Sequence, residues 1–209
     1  MFPFPESSIM RTLRPALLVL ALAPLLAVAS MAHAETALVL DSERSTITFT
    51  SDAPGERIVG TAPTVSGTLS VDLDNPETAS GTMQFPVNGM RTGNRSRDRH
   101  LAGREWLNAS ANPNVTFTLE RLSDVTREVE GERITIRARA HGQVEVNGVS
   151  APAEAQVEVI LLMDRRSARI QPTFAIRLAD HQVRGARGAI GDTVGETIDI
   201  EGLLYASWD

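Results

Sequence analysis

Apolar and polar residues alternate with a period of two through most of the chain after residue 35, which restricts the fold to one built from strands. The run Thr46–Thr50 alternates at every position, and Leu69, Val71 and Leu73 fall on one face of the next run. Further runs begin at residues 37, 82, 115, 134, 157, 169 and 196. An Asn-Gly pair at 147–148 predicts a tight hairpin. About eight or nine strands joined by short links are typical of a sandwich or a barrel.

One segment, at about residues 94–107, interrupts the strands with charges in a helical order. Asn94 can accept hydrogen bonds from backbone N–H groups at a helix N-terminus. Asp98 lies near the positive end of the helix dipole and Arg104 near the negative end, which stabilises both charges. Gly103 is a typical stop residue. The segment therefore predicts a short helical plug that covers the mouth of a β-barrel.

The N-terminal 34 residues have the pattern of a signal peptide. Arg11 and Arg14 precede an almost continuous apolar run over 16–28, and Ala32-His33-Ala34 is a small-x-small cleavage site. The run is shorter than the about 20 residues that span a membrane, and a retained anchor is the alternative interpretation. We expect cleavage after Ala34, export, and a single mature domain at 35–209.

Composition excludes several classes of function. All 20 basic residues are arginine, and 26 acidic residues give a net charge of −6, so no nucleic-acid partner is expected. The absence of cysteine excludes disulfides, thiolate metal sites and a cysteine nucleophile. Aromatic residues make up only 4% of the chain. An aliphatic interior suits a flexible hydrocarbon better than sugars or bases, which stack on aromatic rings.

The spacing of the ionisable residues predicts neither a metal site nor catalysis. His100, His141 and His181 do not have the spacing of a motif such as His-Glu-x-x-His. Asp98 with His100, and Asp180 with His181, are pairs by sequence proximity alone. We therefore expect a protein that is not an enzyme and that uses no metal and no cofactor.

A long motif in the middle of the chain carries a family resemblance. It reads Thr92-Gly93-Asn94-x-x-Arg97-Asp98-x-His100-Leu101, then Trp106, then Asn112-Pro113-x-Val115-x-Phe117. This closely resembles the central motif of the YceI-like family of exported polyisoprenoid-binding proteins. Three further stretches agree in order, so that the resemblance covers almost all of 36–206: Ser66–Leu69, Gly142–Pro152 and Gly191–Glu201.

The resemblance implies an all-β fold, an eight-stranded antiparallel lipocalin-like barrel whose apolar lumen holds an isoprenoid chain. It also implies export to the periplasm of a Gram-negative bacterium. The segment 51–60 departs from the family pattern. We expect this segment near the pocket opening, where it would bear on the identity of the ligand headgroup.

The residues that we expect to contact a ligand are the inward-facing apolar side chains. With the alternation phase chosen here, they are Phe49, Leu69, Val71, Phe85, Val87, Leu101, Trp106, Phe117, Leu119, Val157, Val159, Phe174 and Ile176. The alternative is a packed core without a cavity. Arg97 and His100 are candidates for binding an anionic headgroup, although Arg97 could instead pair internally to fix the plug. Thr92, Asn94 and Asp98 are expected to be structural.

The leading hypothesis is a periplasmic carrier or scavenger that binds a long isoprenoid lipid, of the polyprenyl phosphate or quinone type, in the barrel lumen. Transient contact with a membrane surface or a membrane redox protein fits this role. The alternative is a non-enzymatic, stress-related interaction module with a filled barrel that binds a partner protein. The sequence leaves the oligomeric state open, with a homodimer as one arrangement that it allows.

Overall fold

The computed structural model describes residues 35–209, which form ten strand segments and one α-helix. The predicted signal peptide lies outside the described residues. The helix α1 spans Arg95–Leu101. The strands are β1 (Glu35–Leu40), β2 (Thr46–Asp52), β3 (Arg57–Pro63), β4 (Ser66–Asp72), β5 (Ser80–Pro86), β6 (Asn114–Glu130), β7 (Arg133–Val146), β8 (Val149–Leu162), β9 (Ser167–Arg177) and β10 (Thr197–Ser207).

The ten segments make an eight-stranded barrel because two of its strands are interrupted. Both β1 and β2 pair with β10, through Leu40 with Ala206 and Thr46 with Leu203, so they follow one course along it. In the same way β3 pairs with β2 while β4 pairs with β1, and only two residues separate β3 from β4. Each strand pairs antiparallel with the next, and β10 closes the ring on β1 and β2. The predicted eight-stranded antiparallel barrel is confirmed.

A buried serine explains the interruption between β1 and β2. The Ser45 hydroxyl accepts a hydrogen bond from the Tyr205 N–H at 3.0 Å and lies 3.3 Å from the Tyr205 carbonyl, to which it donates. The Asp41 N–H also donates to that carbonyl, at 2.8 Å. The Ser45 hydroxyl and the Asp41 N–H thus satisfy the Tyr205 N–H and carbonyl, which a regular neighbouring strand would otherwise bond. The strand bends here without leaving buried polar groups unpaired.

Several local predictions are confirmed and others need correction. Asn147 and Gly148 form the predicted hairpin turn, with Val146 paired to Val149 across it. No strand was predicted at β3, whose Gly60 and Pro63 are unfavourable for strands. The strand β5 ends at Pro86, so Val87 begins a 3-10 turn and does not continue the alternation.

The plug is helical only in its first half. The helix ends at Leu101, and residues 102–112 continue as turns. The Gly103 N–H donates to the His100 carbonyl at 2.8 Å, a bond of three-residue span that ends the α-helical pattern. Within residues 35–209, no helix is both long enough and apolar enough to cross a membrane.

The two ends of the barrel differ in the length of their connections. At one end, short turns join β6 to β7 and β8 to β9. At the other end lie the β2–β3 turn, the long segment 87–113 that contains α1, the Asn147-Gly148 turn and the segment 178–196. We call this second end the mouth end, since its long connections surround the opening described below.

Candidate functional site

The barrel encloses a cavity of about 580 Å³ whose wall is almost entirely apolar. Residues from all ten strand segments and from α1 line it. Most are aliphatic, and Phe117 and Phe174 form a tilted aromatic pair with ring centroids 6.1 Å apart. The volume lies within the about 300–1,000 Å³ that is usual for small-molecule sites. The barrel is therefore hollow, and the packed core without a cavity does not describe it.

Most of the residues predicted to face the lumen line this cavity. They are Phe49, Leu69, Val71, Phe85, Leu101, Trp106, Phe117, Leu119, Val157, Val159, Phe174 and Ile176. Val87 was also predicted to face the lumen, but it is buried in its 3-10 turn and is not part of the wall. Its place in the alternation was wrong because the strand had already ended.

Other wall residues were not among the predicted contacts. Ile198 and Ile200 of β10 and Ile136 of β7 line the cavity, and their alternation is visible in the sequence. Ile58 belongs to β3, which was not predicted as a strand. Val194 lies in the irregular segment 178–196, where no periodicity marks an inward position.

Segments that are distant in the sequence meet around the mouth. The Gly55 N–H donates to the Asp192 carbonyl at 2.9 Å, which joins the β2–β3 turn to segment 178–196. The Gly185 N–H donates to the Glu105 carbonyl at 2.9 Å, which joins that segment to the plug. A Cβ atom at Gly185 would lie 2.9 Å from the Trp106 ring, so only glycine lets the ring pack this closely. The mouth is thus bordered by three connections tied to one another.

The plug is held by the residues predicted to be structural. The Asn94 side-chain oxygen accepts hydrogen bonds from the N–H groups of Ser96 at 2.9 Å and Arg97 at 3.2 Å, which caps α1. The Asp98 carboxylate accepts from the Thr92 N–H at 2.8 Å and from the Thr92 hydroxyl at 2.6 Å. These bonds fix the first turn of the helix to the chain that enters it.

Asp98 is also the one acidic side chain of the described residues whose pKa departs clearly from its ordinary value. The hydroxyl of Thr92 is the main cause, and it holds the pKa of Asp98 below that value. Burial acts in the opposite direction, while the Thr92 amide and the positive charges of Arg91 and Arg97 reinforce the lowering. Asp98 therefore stays ionised under all but strongly acidic conditions.

Arg97 is occupied within the protein. Its Nη1 donates to the Glu56 carboxylate at 2.5 Å, its Nε to the Thr92 hydroxyl at 3.0 Å, and its Nη2 to the Thr92 carbonyl at 3.0 Å. Arg97 and Glu56 both line the cavity, with side chains 28% and 46% exposed. An anionic headgroup would have to compete with Glu56 for this guanidinium. His100, exposed on the next turn of α1, also lines the cavity.

The other two histidines lie away from the cavity. The buried His181 donates from Nδ1 to the Val149 carbonyl at 2.9 Å. On the outer face of the barrel, the Ser123 hydroxyl lies 2.7 Å from His141 Nε2, while His141 Nδ1 lies 3.5 Å from the Glu154 carboxylate.

Ser123, His141 and Glu154 follow the order of a nucleophile, a base and a carboxylate, but the hydroxyl is not placed beside a groove that could hold a substrate. Ser123 does not border the shallow groove beside His141, so a substrate in that groove would not meet the hydroxyl. Within the part of the chain that the structure describes, no three His, Cys, Asp or Glu side chains cluster to hold a metal ion.

Comparison with known proteins gives a family match over most of the chain. The model of the YceI-like domain matches residues 38–204. A relative in Pectobacterium atrosepticum, a UPF0312 protein, is 28% identical over 141 residues, which cover 66% of this chain and 69% of the relative.

Two solved structures have the same fold. BcnA of Burkholderia cenocepacia superposes with a TM-score of 0.66 at 17% identity, covering 80% of this chain and 99% of that protein. A domain of Saccharophagus degradans, described as polyisoprenoid-binding and implicated in plant cell wall breakdown, superposes with a TM-score of 0.62 at 14% identity. The match covers 83% of this chain and 99% of that domain. At these identities the likeness concerns the fold alone.

Proposed function

Because the chain belongs to the YceI-like family, we propose that it is a binding protein that holds a long isoprenoid lipid in the barrel lumen and acts as its carrier or scavenger. The observation that carries this proposal is the enclosed apolar cavity of about 580 Å³. The structural similarity to a polyisoprenoid-binding domain supports the same class of ligand. The role needs no bond making or breaking, in keeping with a site whose wall is almost entirely hydrocarbon.

Apolar contact alone can supply the affinity for such a ligand. Each methylene group moved from water into the lumen contributes about 0.8 kcal/mol, so a tail of many carbons offsets the cost of ordering it. Branched aliphatic side chains such as Val157, Val159 and Ile176 give a wall without hydrogen-bonding demands. Such a wall accepts a flexible chain and excludes a polar one, because a polar group there would lose its hydrogen bonds to water.

The contacts of Arg97 with Glu56 and Thr92 favour a neutral headgroup of the quinone type over a polyprenyl phosphate. Glu56 already balances the charge of Arg97, and Thr92 takes two more of its donors. A phosphate at the mouth would gain one guanidinium contact but would face the Glu56 carboxylate. A quinone ring carries no charge, and a ring N–H of His100 at the mouth can donate a hydrogen bond to its carbonyl.

Export to the periplasm is part of the proposal and rests on the N-terminal sequence pattern. Its test is the mass of the protein recovered from the periplasmic fraction of its host. The expected mass corresponds to a chain beginning at Glu35. A full-length protein in the cytoplasmic or membrane fraction would contradict export and cleavage.

The binding role is tested by native mass spectrometry of protein purified from its own host. The expected result is a lipid adduct, identified after extraction as an isoprenoid. A bare protein mass, together with no uptake of a long-chain quinone or a polyprenol, would exclude the proposal.

A matched pair of substitutions shows whether the lumen is the site. Ala155 faces the cavity, and the neighbouring Gln156 faces solvent. Ala155→Phe fills the lumen and is expected to abolish lipid uptake, whereas Gln156→Phe leaves uptake unchanged. The smaller Ala140→Leu, on the facing position of β7, repeats the test if Ala155→Phe fails to fold. If every variant that folds takes up as much lipid as the wild type, the lipid binds outside the lumen.

A further inference from the structure

The charges of the barrel are unevenly divided between its two ends. The mouth-end segments 52–57, 87–113 and 178–196 contain eight arginines and seven carboxylates. The opposite end contains four arginines and nine carboxylates, in residue 35 and in segments 73–79, 124–133, 163–166 and 208–209. In a chain of net charge −6, the mouth end is thus close to neutral or positive while the far end is strongly negative.

Most of the mouth-end arginines are exposed and available to a partner. Only Arg57 and Arg97 form ion pairs within the described residues at this end. The other six are exposed and take part in no such pair, but Arg91 donates to the backbone carbonyls of Asn88 and Met90. We call the remaining five the mouth arginines: Arg95, Arg99, Arg104, Arg184 and Arg187.

Helix geometry turns two of the mouth arginines away from the lumen. The residues of α1 that line the cavity are Ser96, Arg97, His100 and Leu101, which fall on one side of the helix. Arg95 and Arg99 are four residues apart and therefore lie together on the opposite side. The helix therefore turns Leu101 and the ion-paired Arg97 towards the cavity. It turns the positive charges of Arg95 and Arg99 outwards, beyond the mouth.

The remaining mouth arginines extend this positive surface around the opening. Arg104 follows α1, and Arg184 and Arg187 lie in the segment bound to the plug through the Gly185 N–H and the Glu105 carbonyl. This hydrogen bond holds the arginines of the plug and those of segment 178–196 at the same rim. Two carboxylates adjoin Arg99 and Arg104 in the sequence: Glu105, and Asp98, which is bound by Thr92. The five mouth arginines outnumber them, so the rim keeps an excess of positive charge.

We propose that the mouth end docks on the surface of an anionic lipid bilayer, with the mouth arginines against the headgroups. Each arginine near such a surface adds attraction, which acts only within a Debye length and weakens in salt. The carboxylates of the far end are repelled, so the molecule orients with its opening towards the lipid. A lipid tail can then pass between bilayer and lumen with little exposure to water. This inference goes beyond the proposed function, and its test needs no lipid in the lumen.

Vesicle sedimentation tests the docking. Mature protein is mixed with vesicles of phosphatidylcholine alone or of phosphatidylcholine with phosphatidylglycerol, at low and at physiological salt. Binding is expected only to the anionic vesicles and is expected to weaken with salt. The double substitution R95Q/R99Q should weaken it by about thirtyfold, the equivalent of about 2 kcal/mol at about 1 kcal/mol per arginine. The matched control R165Q/R166Q removes the same charge at the far end and should bind at least as well as the wild type.

The two tryptophans test the orientation. Trp106 lies at the mouth end and Trp208 at the far end, so W208F and W106F each leave a single reporter. Brominated lipids in anionic vesicles should quench Trp106 and leave Trp208 unaffected. Binding to neutral vesicles as strong as to anionic ones, no binding to either, equal weakening by both arginine pairs, or quenching of Trp208 as strong as that of Trp106 would each overturn the proposal.

Discussion

Arg97 of the plug and Glu56 of the β2–β3 turn meet at the mouth of the barrel, with 2.5 Å between Nη1 and Oε1. The pair links two connections that are 41 residues apart in the sequence. Both side chains are partly exposed, so the pair adds little to stability. Its consequence is electrostatic, since it places a carboxylate where the headgroup of a lipid in the lumen would lie.

Glu56→Gln is expected to shift the ligand preference of the protein towards phosphorylated lipids. Removing the carboxylate frees Arg97 and ends a like-charge repulsion of about 1 kcal/mol at about 4 Å in water, which corresponds to about a fivefold gain in affinity. Competition between a polyprenol and the corresponding polyprenyl phosphate measures this preference. Asp52→Asn is the control, because Asp52 pairs with Arg57 on the same turn and does not line the cavity.

Affinity for the neutral polyprenol should stay the same in both variants. An unchanged preference in Glu56→Gln would show that Glu56 does not select the headgroup. That outcome leaves the binding role of the lumen intact, since the Ala155 and Gln156 variants test it separately.

Trp106→Ala is expected to loosen the plug without unfolding the barrel. Trp106 is half-buried between the lumen and Gly185, so its loss should cost less than the about 3–5 kcal/mol of a fully buried tryptophan. The melting temperature and lipid uptake should both fall while the strand content measured by circular dichroism is retained. Trp106→Phe keeps an aromatic ring against Gly185 and should recover most of both. Unchanged melting temperature and uptake in Trp106→Ala would contradict the plug.

Acid should weaken the attachment of the plug through Asp98. Its pKa is held below the ordinary value of about 3.9, mainly by the Thr92 hydroxyl. The stabilisation is therefore complete above that ordinary value and is lost as the pH falls through the lowered pKa of the folded protein. Urea unfolding between pH 6 and pH 2 should show this loss in the wild type and a smaller one in Asp98→Asn.

The titration of Asp98 can also be followed directly by NMR. Thr92→Val removes the main cause of the lowering, so the pKa of Asp98 should rise towards its ordinary value in that variant. Thr92→Ser keeps the hydroxyl and should keep the lowered pKa. The same Asp98 pKa in all three proteins would exclude the Thr92 hydroxyl as its cause.

Much of the barrel could be predicted because its strands are locally periodic. Leu69 and Val71, two residues apart, already show which side of β4 faces the lumen, and Asn94 marks the helix start by its own side-chain chemistry. Val87 shows where this reasoning ends, since nothing in the alternation reveals that β5 stops at Pro86.

What could not be predicted depends on contacts between distant segments. Ser45 bends the first strand through its bonds to Tyr205, 160 residues away. Glu56 and Arg97 are each ordinary charged residues until the fold brings them together. Segment 178–196 has no periodicity, and its place at the mouth depends on backbone bonds such as that from Gly185 to Glu105. Sequence patterns therefore predict the wall of the lumen better than its opening.

Gly60→Ala is expected to reduce both stability and the space available in the lumen. Gly60 pairs with Phe49 across β2 and β3, and a Cβ atom at this glycine would lie 2.1 Å from the tip of the Phe49 ring. The ring must then rotate into the cavity or force the strands apart, which typically costs about 1–3 kcal/mol. Urea unfolding and lipid uptake should both show the loss. In the double variant Gly60→Ala with Phe49→Leu the clash is absent, so the two substitutions together should cost less than the sum of their separate effects. Strict additivity would show that the ring does not need the open face of Gly60.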